Sequence, residues 1–257
     1  MDQHLLEETP TDGVLLLRLN RPQRRNALTK QLVLDIAQAL AKAASSSATR
    51  AVIITGDERA FSAGADILEV NERGIAAILD EERLAAWRAI ETFPKPLIAA
   101  VRGFAYGAGN ELAMICDLVV AGTSAQFGQP EVKIGGMAGD GGTQRLPRLV
   151  GRQVATKMLL TGAPLSAQEA KQAGLVCDVV GDDLVVQTAI ELATAIAANA
   201  PLSVAVTKSL IRRVDEGGLA DGLRVERDGL LRVFQSDDRV EGMTAFAEKR
   251  RPTWSGR

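Results

Sequence analysis

The sequence predicts an α/β protein with one core followed by a helical C-terminal region. Two observations carry the first half: short apolar runs of strand length, and stretches of helical hydrophobic spacing between them. A third carries the second half: toward the C-terminus helical spacing dominates. VLLLRLN at Val14–Asn20 reads as a buried strand, and Arg21-Pro22 marks the turn after it. From Thr29 to Ala44, Leu32, Ile36, Leu40 and Ala43 follow helical spacing behind Thr29 as N-cap. AVIIT at Ala51–Thr55 is a second strand, ended by Gly56. The FSAGAD turn opens a region of intermittent helical signal that runs to Glu91. Pro94 and Pro96 precede a third strand, LIAAV, at Leu97–Val101. GFAYGAGNELAMIC, from Gly103 to Cys116, reads as a turn feeding a helix, and DLVVAG as another strand. The glycine-rich stretch up to Gly151 reads as loop with a short helix near its end. Between Ala167 and Lys249 three or four helical stretches are expected, with a strand-like VCDVV beginning at Val176.

Composition narrows the chemistry. The 257 residues suffice for a substantial core without disulfides or metal staples. Thirty Lys plus Arg against 32 Asp plus Glu argue against generic nucleic-acid binding. Cys116 and Cys177 cannot form a disulfide framework or a four-cysteine zinc site. A lone histidine, His4, excludes a three-histidine metal site, so no metal is expected. Catalysis therefore points to carboxylates, backbone dipoles or a cofactor. No secretory leader or long apolar run is evident, and a soluble cytoplasmic protein is the expectation.

The glycine-rich segments fail three standard tests. Leu112 stands where a dinucleotide fingerprint needs its third glycine, no Gly-Lys pair exists for a phosphate loop, and Ser62 lies in Ala-Phe-Ser-Ala-Gly rather than in a nucleophile elbow. Two turns remain, AFSAGAD and YGAGNE. Each is read either as tight strand-to-helix packing or as a pair of N–H groups converging on a substrate oxygen. Glu111, just inside the helix after the second turn, and Glu131, after Pro130, are the candidate acids. They either divide acid and base work on one water or serve as capping and salt-bridging groups.

Five segments together resemble the enoyl-CoA hydratase/isomerase (crotonase) family. They are NRPQRRNAL from Asn20, ITGDERAFSAGAD from Ile54, GFAYGAGNELAMICDLVVAG from Gly103, FGQPEVKIGGMAGDGGTQRLPRLVG from Phe127 and AFAEKRRPTWSGR from Ala245. They lie in family order across essentially the whole chain. The resemblance implies a crotonase (ClpP-like) spiral of β-β-α units over residues 1–200. It also implies a helical region, 201–257, that packs between subunits of a homotrimer or hexamer.

Residue by residue, the resemblance assigns the oxyanion-hole N–H groups to Ala65 and Ala108. Glu111 and Glu131 match the two acids of true hydratases, with Glu131 as proton donor and Glu111 as water-activating base. Arg25, Ala63, Asp66, Ile67, Gly139, Phe246 and Lys249 match positions that contact the acyl-CoA, Phe246 and Lys249 often across a subunit boundary. Coenzyme A is then part of the substrate, and neither metal nor redox cofactor is required. The closing EKRRPxxxGR pattern is most similar to bacterial hydratases of phenylacetate catabolism, which act on 2,3-dehydroadipyl-CoA.

Departures from the family pattern stand beside these matches. Ala108 is glycine in many relatives, and Leu68 replaces a lysine found near the CoA nucleotide. Asp140 replaces an alanine, as either a third polar group at the acyl pocket or a turn-stabilising residue. Asn110 and Arg145 are further polar candidates. An isomerase or hydrolase using one of the acids, and a non-catalytic RNA-binding relative, are the alternative readings. Near-neutral charge and the paired acids weigh against RNA.

Overall fold

A computed structural model describes residues 3–257. The apolar runs form a six-stranded sheet in the order β1-β2-β3-β5-β7-β10. Its strands are β1 (Leu5–Thr11), β2 (Gly13–Leu19), β3 (Thr49–Thr55), β5 (Leu97–Val101), β7 (Leu118–Gly122) and β10 (Asp178–Val180). β1 pairs antiparallel with β2, and every later pairing is parallel. The runs are apolar throughout because both faces are covered. Leu17, Leu19, Val52, Ile54, Leu97 and Ala99 face one core, whereas Leu16, Ile53, Ile98 and Val120 face the other.

The short strands β4 (Ala60–Ser62), β6 (Phe104–Tyr106), β8 (Gln126–Gly128) and β9 (Leu165–Ser166) form a second sheet in that order. β4, β6 and β8 run parallel, and β9 returns antiparallel. β3–β4, β5–β6 and β7–β8 each put a strand into each sheet and are followed by helix. This is the β-β-α spiral that the resemblance implied.

Helices cover both cores. α1 (Lys30–Ser45) is capped by Thr29, whose Oγ1 accepts from Leu32 N at 3.2 Å, and buries Leu32, Ile36, Leu40 and Ala43 as the spacing predicts. α2 (Ile67–Arg73), α3 (Ile75–Ile78) and α4 (Glu81–Glu91) make up the intermittent helical stretch after β4. α5 (Ala108–Ile115), α6 (Gly142–Val150), α7 (Arg152–Thr161) and α8 (Ala167–Ala173) follow. α9 (Val185–Ala197) closes the second core with Val185, Ala189 and Ala193. α10 (Pro201–Arg212), α11 (Leu219–Phe234) and α12 (Asp237–Glu248) complete the described chain.

The structure differs from the sequence reading in three places. β1 occupies Leu5–Thr11, before the first element that the sequence predicts. Pro10 is tolerated because β1 is an edge strand whose pairing with β2 is irregular between Glu8 and Thr11. β4 and β6 sit where turns are expected, and β8 where a loop is. The C-terminal stretch from Ala167 holds five helices rather than three or four. No single helix among the described residues is long and apolar enough to cross a membrane.

The tail motif has a structural role of its own. Buried Asp238 accepts from Ser255 N at 2.6 Å, Ser255 Oγ at 2.9 Å and Gly256 N at 2.9 Å. Trp254 Nε1 donates to Ala198 O at 2.7 Å, tying the last residues back to α9.

Candidate active site

The small sheet assembles the candidate residues. β4 leads into Ala63–Asp66, β6 into Gly107 and α5, and β8 into Gln129–Glu131. Since the three strands are parallel neighbours, their carboxyl ends deliver these segments side by side, the usual position of a ligand site in such sheets.

Gly64 and Gly107 let the first two segments meet. Both have positive φ, +107° and +52°. A Cβ on Gly64 would lie 2.9 Å from the Tyr106 carbonyl oxygen and 3.6 Å from Ala108 N. A Cβ on Gly107 would lie 3.1 Å from Glu131 Oε1. Around Ala65, Leu28 N donates to Gly64 O at 2.7 Å and Asp66 N to Leu28 O at 3.0 Å. Ala65 N–H thereby points away from this pairing, and Ala108 N–H is one of the unpaired donors that begin α5. Neither donates to a protein acceptor among the described residues. Two adjacent, unspent N–H groups suit an oxygen that is gaining negative charge.

Glu111, in the first turn of α5, is 1% exposed. Its Oε1 accepts from Gly142 N at 2.7 Å and Asp140 N at 2.9 Å. Burial dominates these bonds, and with the charges of Asp140 and Glu131 it pushes the carboxyl up to about 7 from an ordinary 4.5. Burial, with the Asp140 charge adding to it, also raises Glu131. Glu131 Oε2 is buried without a hydrogen-bond partner, which marks a place for a polar group from outside the chain.

The remaining predicted residues divide. Arg25, in left-handed conformation, accepts at its carbonyl from Ala63 N at 2.9 Å and so supports the Ala65 turn. Asp66 caps α2 and pairs with Arg21 at 3.0 Å. Ile67 and Leu68 are exposed at the start of α2, and Gly139 is exposed on the loop before α6. Phe246, 86% exposed, and Lys249 lie instead at the end of α12. Asn110 is buried 2.9 Å from the Gln129 amide, and Arg145 is occupied by Glu91 and the Asp140 carbonyl.

Sequence reading missed two groups. The Gln129 amide lies 3.4 Å from Glu131 Oε1; with its nitrogen turned to the turn, it donates to Gly107 O and Gly128 O at 3.1 and 3.0 Å. Arg83 pairs with Asp140 from α4. The position of Gln129, two residues before Glu131, was an available clue; nothing local marked Arg83.

The raised Glu111 carboxyl carries a stability consequence. The folded chain keeps this proton to about pH 7, whereas the unfolded chain releases it near 4.5. The folded state therefore binds more protons in that window, and this contribution to stability is lost as pH rises. Glu111→Gln removes the buried charge. Relative to wild type, the variant is expected to gain up to about 3 kcal/mol between pH 4 and pH 8. Denaturant unfolding at both pH values measures it, and a pH-independent difference would refute the assignment.

Comparison with known proteins identifies the family. The enoyl-CoA hydratase/isomerase family model matches residues 9–257. The 2,3-dehydroadipyl-CoA hydratase of Escherichia coli K12 is 46% identical over 95% of this chain and 96% of its own. The mitochondrial enoyl-CoA hydratase of Pongo abelii is 44% identical, covering 92% and 81%. The crystal structure of an enoyl-CoA hydratase from Bacillus anthracis superposes with a TM-score of 0.94 at 38% identity, covering 99% of this chain and 100% of that one. With a matched model across nearly its whole length and this fold, the chain belongs to the enoyl-CoA hydratase/isomerase family.

Proposed function

We propose that this chain is an enoyl-CoA hydratase. It adds water across the 2,3-double bond of a trans-2-enoyl-CoA to give the 3-hydroxyacyl-CoA, with 2,3-dehydroadipyl-CoA as the favoured substrate. The observation that carries the reading is a buried Glu111 and a half-buried Glu131, both with raised proton affinity, beside two unspent N–H groups. Retention of both acids also favours hydration over the isomerase and hydrolase alternatives.

The thioester carbonyl oxygen accepts from Ala65 and Ala108 N–H, which stabilise the enolate-like transition state. Losing one such donor costs about 3–4 kcal/mol of barrier in other enzymes. Ionised Glu111 takes a proton from water as its oxygen bonds to C3. Protonated Glu131 delivers a proton to C2, and proton return between the acids resets the site. Exposed Ile75 and Ile78, beyond the Ala65 turn, support an apolar wall for the acyl chain. The reaction draws on no group beyond these side chains, the backbone and the coenzyme A of the substrate.

Glu111→Gln and Glu131→Gln are each expected to lower hydration of crotonyl-CoA at least about a hundredfold with little change in CoA-ester binding. Loss of absorbance of the conjugated enoyl thioester follows the reaction. A variant that keeps more than about a third of wild-type kcat would remove that residue from the role given it by acid–base catalysis. The finer substrate assignment expects kcat/KM for 2,3-dehydroadipyl-CoA to exceed that for crotonyl-CoA. The reverse order would point to a general short-chain hydratase.

The same reading includes a cytoplasmic homotrimer or hexamer, with residues 201–257 packed between subunits and Phe246 and Lys249 reaching a neighbour's CoA. Leu219, Leu223, Leu230 and Phe234 support it as one stripe along α11, each about half exposed or more in the single chain. Sedimentation at micromolar concentration is expected to give a trimer or hexamer, and a stable monomer would overturn the assembly.

A further inference from the structure

Asp140 is held at three points. Its N–H donates to Glu111 Oε1 at 2.9 Å, its carbonyl accepts from Arg145 Nη1 at 2.9 Å, and its carboxylate is paired with Arg83. Arg83 is itself fixed in the first turn of α4. Its N–H donates to the capping Asp80 at 3.0 Å, and its guanidinium lies 5.8 Å from the centroid of the buried Trp87 ring. Both partners are largely buried, at 17% and 10% side-chain exposure, so neither charge is well screened by solvent.

We propose that Arg83 and Asp140 form a positioning pair for Glu111. By tying the loop before α6 to α4, the pair aims the N–H groups of residues 140 and 142 at Oε1 and balances the charge beside the carboxylate. This rests on Glu111 being the water-activating base. Neither member touches substrate in this role; both act through Glu111.

The charges facing Glu111 define the consequence. Asp140 on the loop and Glu131 on the turn after β8 raise its proton affinity. Arg83 of α4 is bound to Asp140, and Arg145 of α6 is bound to Glu91. The neighbouring strands β4 and β8 carry no charged side chain, and Tyr106 of β6 donates to Gln126. Neutralising Asp140 leaves Arg83 unopposed, which favours ionised Glu111. Neutralising Arg83 leaves Asp140 unopposed, which disfavours it.

The experiment is the pH dependence of kcat/KM for crotonyl-CoA hydration in Asp140→Asn, Arg83→Gln and the double variant. The acid limb is expected to move to lower pH in Asp140→Asn and to higher pH in Arg83→Gln, each by about half a unit or more. The double variant is expected to return near the wild-type limb. In all three, kcat falls about ten- to hundredfold from lost aim, while KM stays within about twofold. Arg83→Lys and Asp140→Glu keep the charges and are expected to keep the wild-type limb. They also provide the test if a neutral variant fails to fold. Limbs that move together or stay fixed, or a conservative variant whose limb shifts as the neutral one does, would overturn the proposal. An acid limb that persists unchanged in the residual activity of Glu111→Gln would instead overturn the base assignment on which it rests.

Discussion

Parallel pairing of three strands only three residues long is the constraint on which this site depends. In β4, β6 and β8, Ala60 and Ser62 pair with Phe104 and Ala105, which pair in turn with Gln126 and Phe127. Gly107 N then donates to Gly128 O at 2.9 Å, extending the alignment into the turns. A one-residue slip would reverse the side chains of a strand and displace its turn relative to the other two. Strands this short hold their register poorly alone. Each follows a buried strand of the larger sheet, where apolar packing on two faces fixes the alignment.

That scaffold makes room for an electrostatically costly arrangement. Glu111 is withdrawn from water and Glu131 is half so, and the two repel when both are ionised. Two N–H donors to Oε1 offset only part of the cost for Glu111. Glu131 retains an unpartnered buried oxygen. Structural acids elsewhere in the chain behave differently. Asp80 and Glu241 are held well below the usual carboxylate range by cationic and backbone donors. The contrast separates carboxylates that stabilise the fold from the two that favour proton exchange.

Legibility followed the range of the interactions. Runs such as LIAAV and the Thr29 cap declared themselves locally, because strand burial and helix capping act within a few residues. β6 and β8 did not, since three residues are too few to establish a period of two, and their glycine-rich ends resemble turns. β1 was masked by its acidic and proline content, acceptable on an edge strand. Glu111 and Glu131 stood out as acids among small and apolar neighbours, but their roles were open until family resemblance was added. The partnership of Asp140 with Arg83 spans 57 positions and has no local signature. Only the folded chain joins them.

Ala108 and Glu111 show how one helix start can serve two opposite demands. The first turn of α5 presents unpaired N–H groups and the positive end of the helix dipole, which favour an oxyanion near Ala108. The same field favours ionised Glu111, whereas its burial and the neighbouring carboxylates favour the proton. The balance near 7 lies where a group both holds and releases a proton readily at neutral pH. Moving the acid to a solvated surface would return it toward 4.5 and weaken it as a base. Leaving it buried without the donors at residues 140 and 142 would hold it protonated. The glycine turn, the helix start and the loop before α6 therefore form one electrostatic unit, and changing any one alters the proton affinity that the others sustain.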